Sequence, residues 1–135
     1  MAIIDASVYV ALINEHEADH ASSWAWFQQA QSEEELIVAP VILLPEVASA
    51  VSRGSGDPAV AHQVVEQLKR ANIVELVAVT PPLAERAAAI AADYRLRGCD
   101  AIYVALAQQL SDNLVTLDRQ QLERGAAVVT TRKPE

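Results

Sequence analysis

Two short apolar runs each lead to an acid: Ile3-Ile4-Asp5 at the start of the chain and Leu114-Val115-Thr116-Leu117-Asp118 near its end. In a parallel α/β sheet the carboxyl ends of neighbouring strands open onto one crevice, where ligands bind. Asp5 and Asp118 would therefore face one pocket although most of the chain separates them. Glu46 and Asp100 stand near the starts of helical segments and would join them. Two carboxylates ~4 Å apart repel by about 4 kcal/mol at an effective dielectric near 20. Four of them in one pocket stay ionised together only around a cation. Hard oxygen ligands of this kind hold Mg²⁺ or Mn²⁺, and Mg²⁺ completes its octahedron with water and substrate phosphate. A pair of such ions clamps the attacking and leaving oxygens of a phosphodiester displacement. Ser7 stands two residues after Asp5, and Thr116 two residues before Asp118. Each offers a hydroxyl that would support a metal ligand from behind.

Each acid also has a plainer reading. Asp5, Asp100 and Asp118 all sit where a helix N-cap is expected, and a cap needs only one side-chain oxygen. Glu46 lies among Leu43, Leu44, Val47, Ala48, Ala50 and Val51, either on a solvent stripe or looking into a pocket; helical spacing fits both. Asp100 begins Asp100-Ala101-Ile102-Tyr103-Val104-Ala105-Leu106-Ala107, a helix apolar nearly all round and therefore buried. A charge at the start of such a helix needs a partner or a metal. His16 and His20, at i and i+4 beside Asp19, lack the further ligands a zinc site requires. Cys99 has no partner His for a nucleophilic triad, and Gly54-x-Gly56 lacks the spacing and the Lys of a phosphate loop.

These residues need elements to hold them. Ala2 to Asp5 reads as a buried strand, followed by a helix capped by Asp5 or Ser7 and running to about Ile13. Ala21 to Gln31 has helical spacing with Trp24 and Phe27 facing inward. Leu36 to Ala39 is a second strand, closed by Pro40, and Leu43 to Arg53 a helix. Gly54 and Gly56 break that helix, and Asp57-Pro58 starts the next, to about Ala71. Ile73 to Val79 is a third strand, and Thr80-Pro81-Pro82 opens a helix reaching about Leu96. Asp100 caps a helix through about Leu110. Leu114 to Leu117 is a strand, Arg119 to Arg124 a short helix ended by Gly125, and Ala126 to Thr130 a last strand. Strands separated by helices imply βαβ units. The expected fold is a three-layer α/β/α domain over residues 1–135, with a central parallel sheet of four to five strands and helices on both faces.

Composition bounds the function more loosely. A chain of 135 residues fits one domain and buries roughly two-thirds of its unfolded surface. The single cysteine excludes an internal disulfide and fits a reducing cytoplasm. No signal peptide is visible, and Leu36 to Pro45 falls far short of the ~20 apolar residues that span a bilayer. The net charge of −8 argues against nonspecific nucleic-acid binding, which rests on Lys and Arg. Bound metals would cancel part of that acid, so a nucleic-acid substrate is neither supported nor excluded. Aromatics are 4% of the chain, too few for base-stacking platforms. Tyr9, Trp24, Trp26 and Tyr103 are expected in the core or an interface, leaving Arg53 and Arg95 as the expected RNA contacts.

At its acids the chain resembles the PIN-domain family, specifically small ribonuclease toxins of the VapC type. The resemblance lies in Ile3-Ile4-Asp5-Ala6-Ser7, Leu44-Pro45-Glu46-Val47, Gly98-Cys99-Asp100-Ala101-Ile102-Tyr103-Val104-Ala105-Leu106-Ala107 and Leu114-Val115-Thr116-Leu117-Asp118. It covers essentially the whole chain, and Asp-Ala-x-Tyr-x-Ala-x-Ala is its most specific piece. The resemblance implies metal binding by Asp5, Asp100 and Asp118, with Glu46 as a further ligand or water-orienting acid and Ser7 and Thr116 behind the metal. It implies Mg²⁺- or Mn²⁺-dependent cleavage of RNA, a homodimer, and inhibition by a small cognate antitoxin. Two other readings compete. One is a noncatalytic PIN-like binding module. The other is phosphoryl transfer on an aspartate, which the missing second acid of an Asp-x-Asp at Ser7 and the run of Ile73 to Val79 into Thr80 speak against.

Overall fold

The computed structural model describes residues 1–135. Five strands and seven helices alternate: β1 (Ala2–Ile4), α1 (Ala6–Ile13), α2 (His20–Ser32), β2 (Ile37–Pro40), α3 (Leu43–Ser55), α4 (Pro58–Ala71), β3 (Glu75–Val77), α5 (Pro81–Tyr94), α6 (Gly98–Leu110), β4 (Asn113–Val115), α7 (Arg119–Gly125) and β5 (Thr131–Arg132). The strands form one sheet in the order β3-β2-β1-β4-β5, and every pairing is parallel. The expected α/β class and parallel sheet are therefore observed, with five strands.

The order carries the function. From β1 the chain steps to β2 and then β3 in one direction. It then crosses back to β4 and β5 on the other side of β1. Parallel crossovers are right-handed, so α1 to α4 cover one face and α5 to α7 the other. The reversal lies between β1 and β4, and the crevice opens outside their carboxyl ends. Register sets what stands there: Ile3 pairs with Leu114 and Ile4 with Val115, so the next residues, Asp5 and Thr116, lie side by side.

β1 is buried along its whole length, as are Ile37 to Pro40 of β2. Such uninterrupted apolar strands need cover on both faces. On one face that cover is α6, whose Ala101 and Tyr103 to Ala107 are all buried and which packs on β1, β2 and β4. Helix starts follow local chemistry. Asp57 accepts from the Ala59 amide, and Thr80 from the Leu83 amide, each just before a proline suited to the first turn.

Some expectations are corrected. Trp24 is exposed, and Trp26 takes the inward position beside Phe27; Trp24 instead stacks on His20 at the surface. Gly54 stays helical, and only Gly56, at a left-handed φ of 72°, ends α3. The last strand is Thr131–Arg132 rather than Ala126 to Thr130. Gly125 carbonyl bonds to the Val128 and Val129 amides turn that stretch before it can pair with β4. Asp100 is not the cap of α6; Arg97 holds that place, and Asp100 lies in the first turn.

Candidate metal centre

The four predicted acids line one cleft of about 760 Å³ at the carboxyl edge of the sheet. Asp5 enters it as the N-cap of α1, accepting from the Val8 amide at 3.3 Å. Asp118 enters as the N-cap of α7, accepting from the Gln121 amide at 2.9 Å. Capping and pocket-facing are thus compatible: one oxygen ends the helix while the side chain stays at the cleft. Glu46 comes from the first turn of α3 and Asp100 from that of α6. Glu46 makes no hydrogen bond or ion pair to the three aspartates.

Asp5 is the best-anchored of the four. Ser7 Oγ donates to its Oδ1 at 2.6 Å, and Thr116 Oγ1 to its Oδ2 at 2.6 Å. Each hydroxyl in turn accepts a backbone amide of the β4–α7 connection: Leu117 N–H on Ser7, and Asp118 N–H on Thr116, both at 3.0 Å. The two predicted hydroxyls therefore serve one carboxylate. Thr116 reaches across the sheet to Asp5 instead of to Asp118, because strand register puts it beside Asp5. Asp5 is almost wholly buried. Burial raises its pKa from 3.8 to about 6, against the lowering effect of these donors. Burial also raises Asp100, opposed by Arg97, and raises Glu46, reinforced by the charge of Asp100.

Two residues that the motifs do not mark sit among the acids. Gln121 Nε2 donates to Asp5 Oδ2 at 2.8 Å and to Asp100 Oδ1 at 3.2 Å, while its Oε1 is buried without a partner. Arg97 donates from Nε to Asp100 Oδ2 at 2.8 Å and from its terminal nitrogen to Asp118 Oδ2 at 3.1 Å. A sequence signal existed for Gln121: Asp118-x-x-Gln121 has capping-box spacing. Its side chain turns into the cleft because Thr116 already satisfies the Asp118 amide. Glu17 and Asp19 also line the cleft, and nothing local in the sequence shows that their loop folds over it. Of the two expected RNA-contacting arginines, Arg53 lines the cleft and Arg95 does not; the Arg95 carbonyl receives the Arg124 side chain instead.

The acids share a cleft, yet no three His, Cys, Asp or Glu side chains anywhere in the chain are drawn together closely enough to hold an ion. Gln121 and Arg97 occupy the space between the aspartates. His16 and His20 form no such group either: His16 pairs with Glu15, and His20 bonds the Ala11 carbonyl. The donor set still fits a hard cation. Its atoms are carboxylate oxygens, and Asp100 Oδ2 and Asp118 Oδ2 already share one positive group, the Arg97 guanidinium.

No helix is long and apolar enough to cross a membrane. No curated protein matches the sequence. Solved structures match it over nearly its full length. VapC20 from Mycobacterium tuberculosis, described as a sarcin-ricin loop cleaving toxin, is 19% identical with a TM-score of 0.77, over 99% of this chain and 100% of that one. A toxin–antitoxin complex from Klebsiella pneumoniae is 19% identical with a TM-score of 0.71, over 100% and 98%. VapBC2 from Rickettsia felis, bound to a DNA fragment from its promoter, is 13% identical with a TM-score of 0.74, over 99% and 98%. At such identities the likeness is one of fold. The sequence model of the PIN domain matches residues 2–127, and the chain belongs to the PIN domain family.

Proposed function

We propose that this protein is a divalent-metal-dependent endoribonuclease, the toxin of a toxin–antitoxin pair, that hydrolyses RNA phosphodiesters with a metal-activated water. The observation that carries this reading is the charge of the cleft. Six acids line it (Asp5, Glu17, Asp19, Glu46, Asp100 and Asp118) against two arginines, Arg53 and Arg97. A phosphodiester cannot enter a site with four negative charges in excess (six minus two) unless cations come with it. Asp5, Asp100 and Asp118 would hold Mg²⁺ or Mn²⁺, with Glu46 as a further ligand or the acid that orients the attacking water. A bound ion of this kind lowers the pKa of its water and neutralises charge on the phosphate.

The chain's own residues divide the remaining work. Ser7 and Thr116 fix the Asp5 carboxylate, so its oxygens stand in one orientation. Glu46, half-buried and free of ion pairs, is placed to take a proton from the water. Burial and the nearby charge of Asp100 raise its pKa, which makes it a better proton acceptor than an ordinary carboxylate. Arg53 supplies a positive charge on the cleft wall for the RNA backbone. The toxin assignment draws on the solved relatives, two of which are described as a toxin or a toxin–antitoxin complex. It brings with it a homodimer in the cytoplasm and a small antitoxin partner.

Asp100→Asn is isosteric and keeps an acceptor for Arg97, so the fold should survive. RNA cleavage should fall by on the order of 100-fold or more, since even residues behind a ligand cost 10–100-fold. Undiminished cleavage by a folded Asp100→Asn protein overturns the assignment. Metal binding with no cleavage of a broad RNA panel by the wild type would instead identify a noncatalytic binding module.

A further inference from the structure

Arg97 is the one cation lodged among the aspartates, and its setting is unusual for a buried ion pair. Its own side chain is 68% exposed, whereas that of Asp100 is 9% exposed and that of Asp118 27%. It stands at the rim and reaches inward. The turn that holds it is firmly set: Arg95 takes a left-handed φ of 57° to end α5, and Leu96 is buried in the core. Arg97 follows in extended geometry as the N-cap of α6. The backbone is thus fixed at the cleft edge while the long side chain has room to swing. A guanidinium carries five N–H donors, and Arg97 uses two of them. Three are left over.

We infer that Arg97 has two alternative partners: without a metal it ties Asp100 to Asp118, and when a divalent cation claims those oxygens it swings out to the phosphate of the substrate. The inference rests on the proposed function for its substrate but not for its first half. Asp100 Oδ2 and Asp118 Oδ2 can face the guanidinium or an ion that binds them, not both, because like-charged groups cannot share the same ligand atoms at contact distance. Once displaced, the guanidinium is left at the mouth of the cleft where an RNA backbone must pass. Its planar fork matches a phosphate as well as a carboxylate. Arg97 is then a positioning residue that keeps the empty site intact and holds the substrate in the loaded one.

The test compares wild type, Arg97→Ala and Arg97→Lys. Mn²⁺ affinity is read by calorimetry, and thermal midpoints are read in EDTA and in saturating Mn²⁺. Arg97→Ala should melt lower than wild type in EDTA, and the gap should close in Mn²⁺, where Arg97 no longer holds the carboxylates. Its Mn²⁺ affinity should rise about tenfold. Arg97→Lys separates competition from simple charge repulsion. A lysine keeps the charge but cannot bridge both carboxylates, so competition predicts affinity above wild type and repulsion predicts wild-type affinity. Wild-type affinity in either variant, or a melting gap that persists in Mn²⁺, overturns the inference. For an RNA that the wild type cuts, Arg97→Ala should raise KM about tenfold with kcat changed little. An unchanged KM removes the phosphate role. If the wild type cuts no RNA, the phosphate role falls with the proposed function, and the metal and melting arms still decide the displacement.

Discussion

Asp5 illustrates how a side chain can be a helix cap and still be chemically poised. Its carboxylate takes four donors, from Ser7, Val8, Thr116 and Gln121, which matches the roughly four lone-pair sites of an ionised carboxylate. Burial nonetheless holds its pKa at about 6, above the ordinary 3.8. A pKa raised on folding contributes stability that is fully present below the unfolded value and lost as pH rises through the folded one. For Asp5 that window runs from about pH 4 to about pH 6, and the loss is roughly 3 kcal/mol. In EDTA, the melting midpoint of Asp5→Asn minus that of wild type should therefore climb across this window and level off above it. A flat difference from pH 4 to 7 contradicts the assignment. The residues marked by type and spacing were all legible in the sequence, because strand-end acids and nearby hydroxyls are local patterns. Gln121 and Arg97 were not read: Gln121 works through Asp5 and Asp100, 116 and 21 residues away, and Arg97, although its bond to Asp100 spans three residues, also reaches Asp118, 21 residues on.

At the scale of elements, α6 and α7 are what bring Asp100 to Asp118. Their approach depends on Gly125 at the end of α7. A Cβ there would lie 3.2 Å from Thr131 Cγ2 and 3.3 Å from Val104 Cγ2, so even a methyl requires these side chains to give by a few tenths of an ångström, and a branched side chain requires more. Gly125→Val should force these elements apart and destabilise the protein by about 1–3 kcal/mol, as read by urea unfolding. It should also weaken Mn²⁺ binding, because Asp118 and Gln121 ride on α7. Wild-type stability in that variant would show that the contact is loose. Helix boundaries were well legible where cap-plus-proline pairs punctuate the chain, as at Asp57-Pro58 and Thr80-Pro81. The last strand was misplaced because Ala126 to Thr130 is apolar enough for a strand, whereas the turn that excludes it is set by the Gly125 carbonyl. Trp24 was misplaced for a related reason, whereas Trp26 is in the core as expected: spacing along α2 does not reveal where α1 ends and solvent begins.

At the scale of the molecule, one topological reversal beside β1 gathers four acids that are spread from residue 5 to residue 118. The alternation of strands and helices made the parallel sheet legible, and the sheet made the crevice legible. The sequence did not reveal that a guanidinium and an amide stand between the acids, since the contacts of Arg97 with Asp118 and of Gln121 with Asp5 and Asp100 join distant segments. The net charge of −8 gains meaning here, because six of the acids line the cleft that would receive a polyanion under the proposed function. The central claim is that this cleft binds the ion that cleaves RNA. The most direct measurement is anomalous diffraction at the manganese edge from crystals soaked in Mn²⁺. The account predicts a peak bonded to Asp5, Asp100 or Asp118 oxygens, with the Arg97 guanidinium moved off Asp100 and Asp118. A protein saturated with Mn²⁺ that shows no peak in the cleft, with Arg97 still bridging the two aspartates, would contradict it.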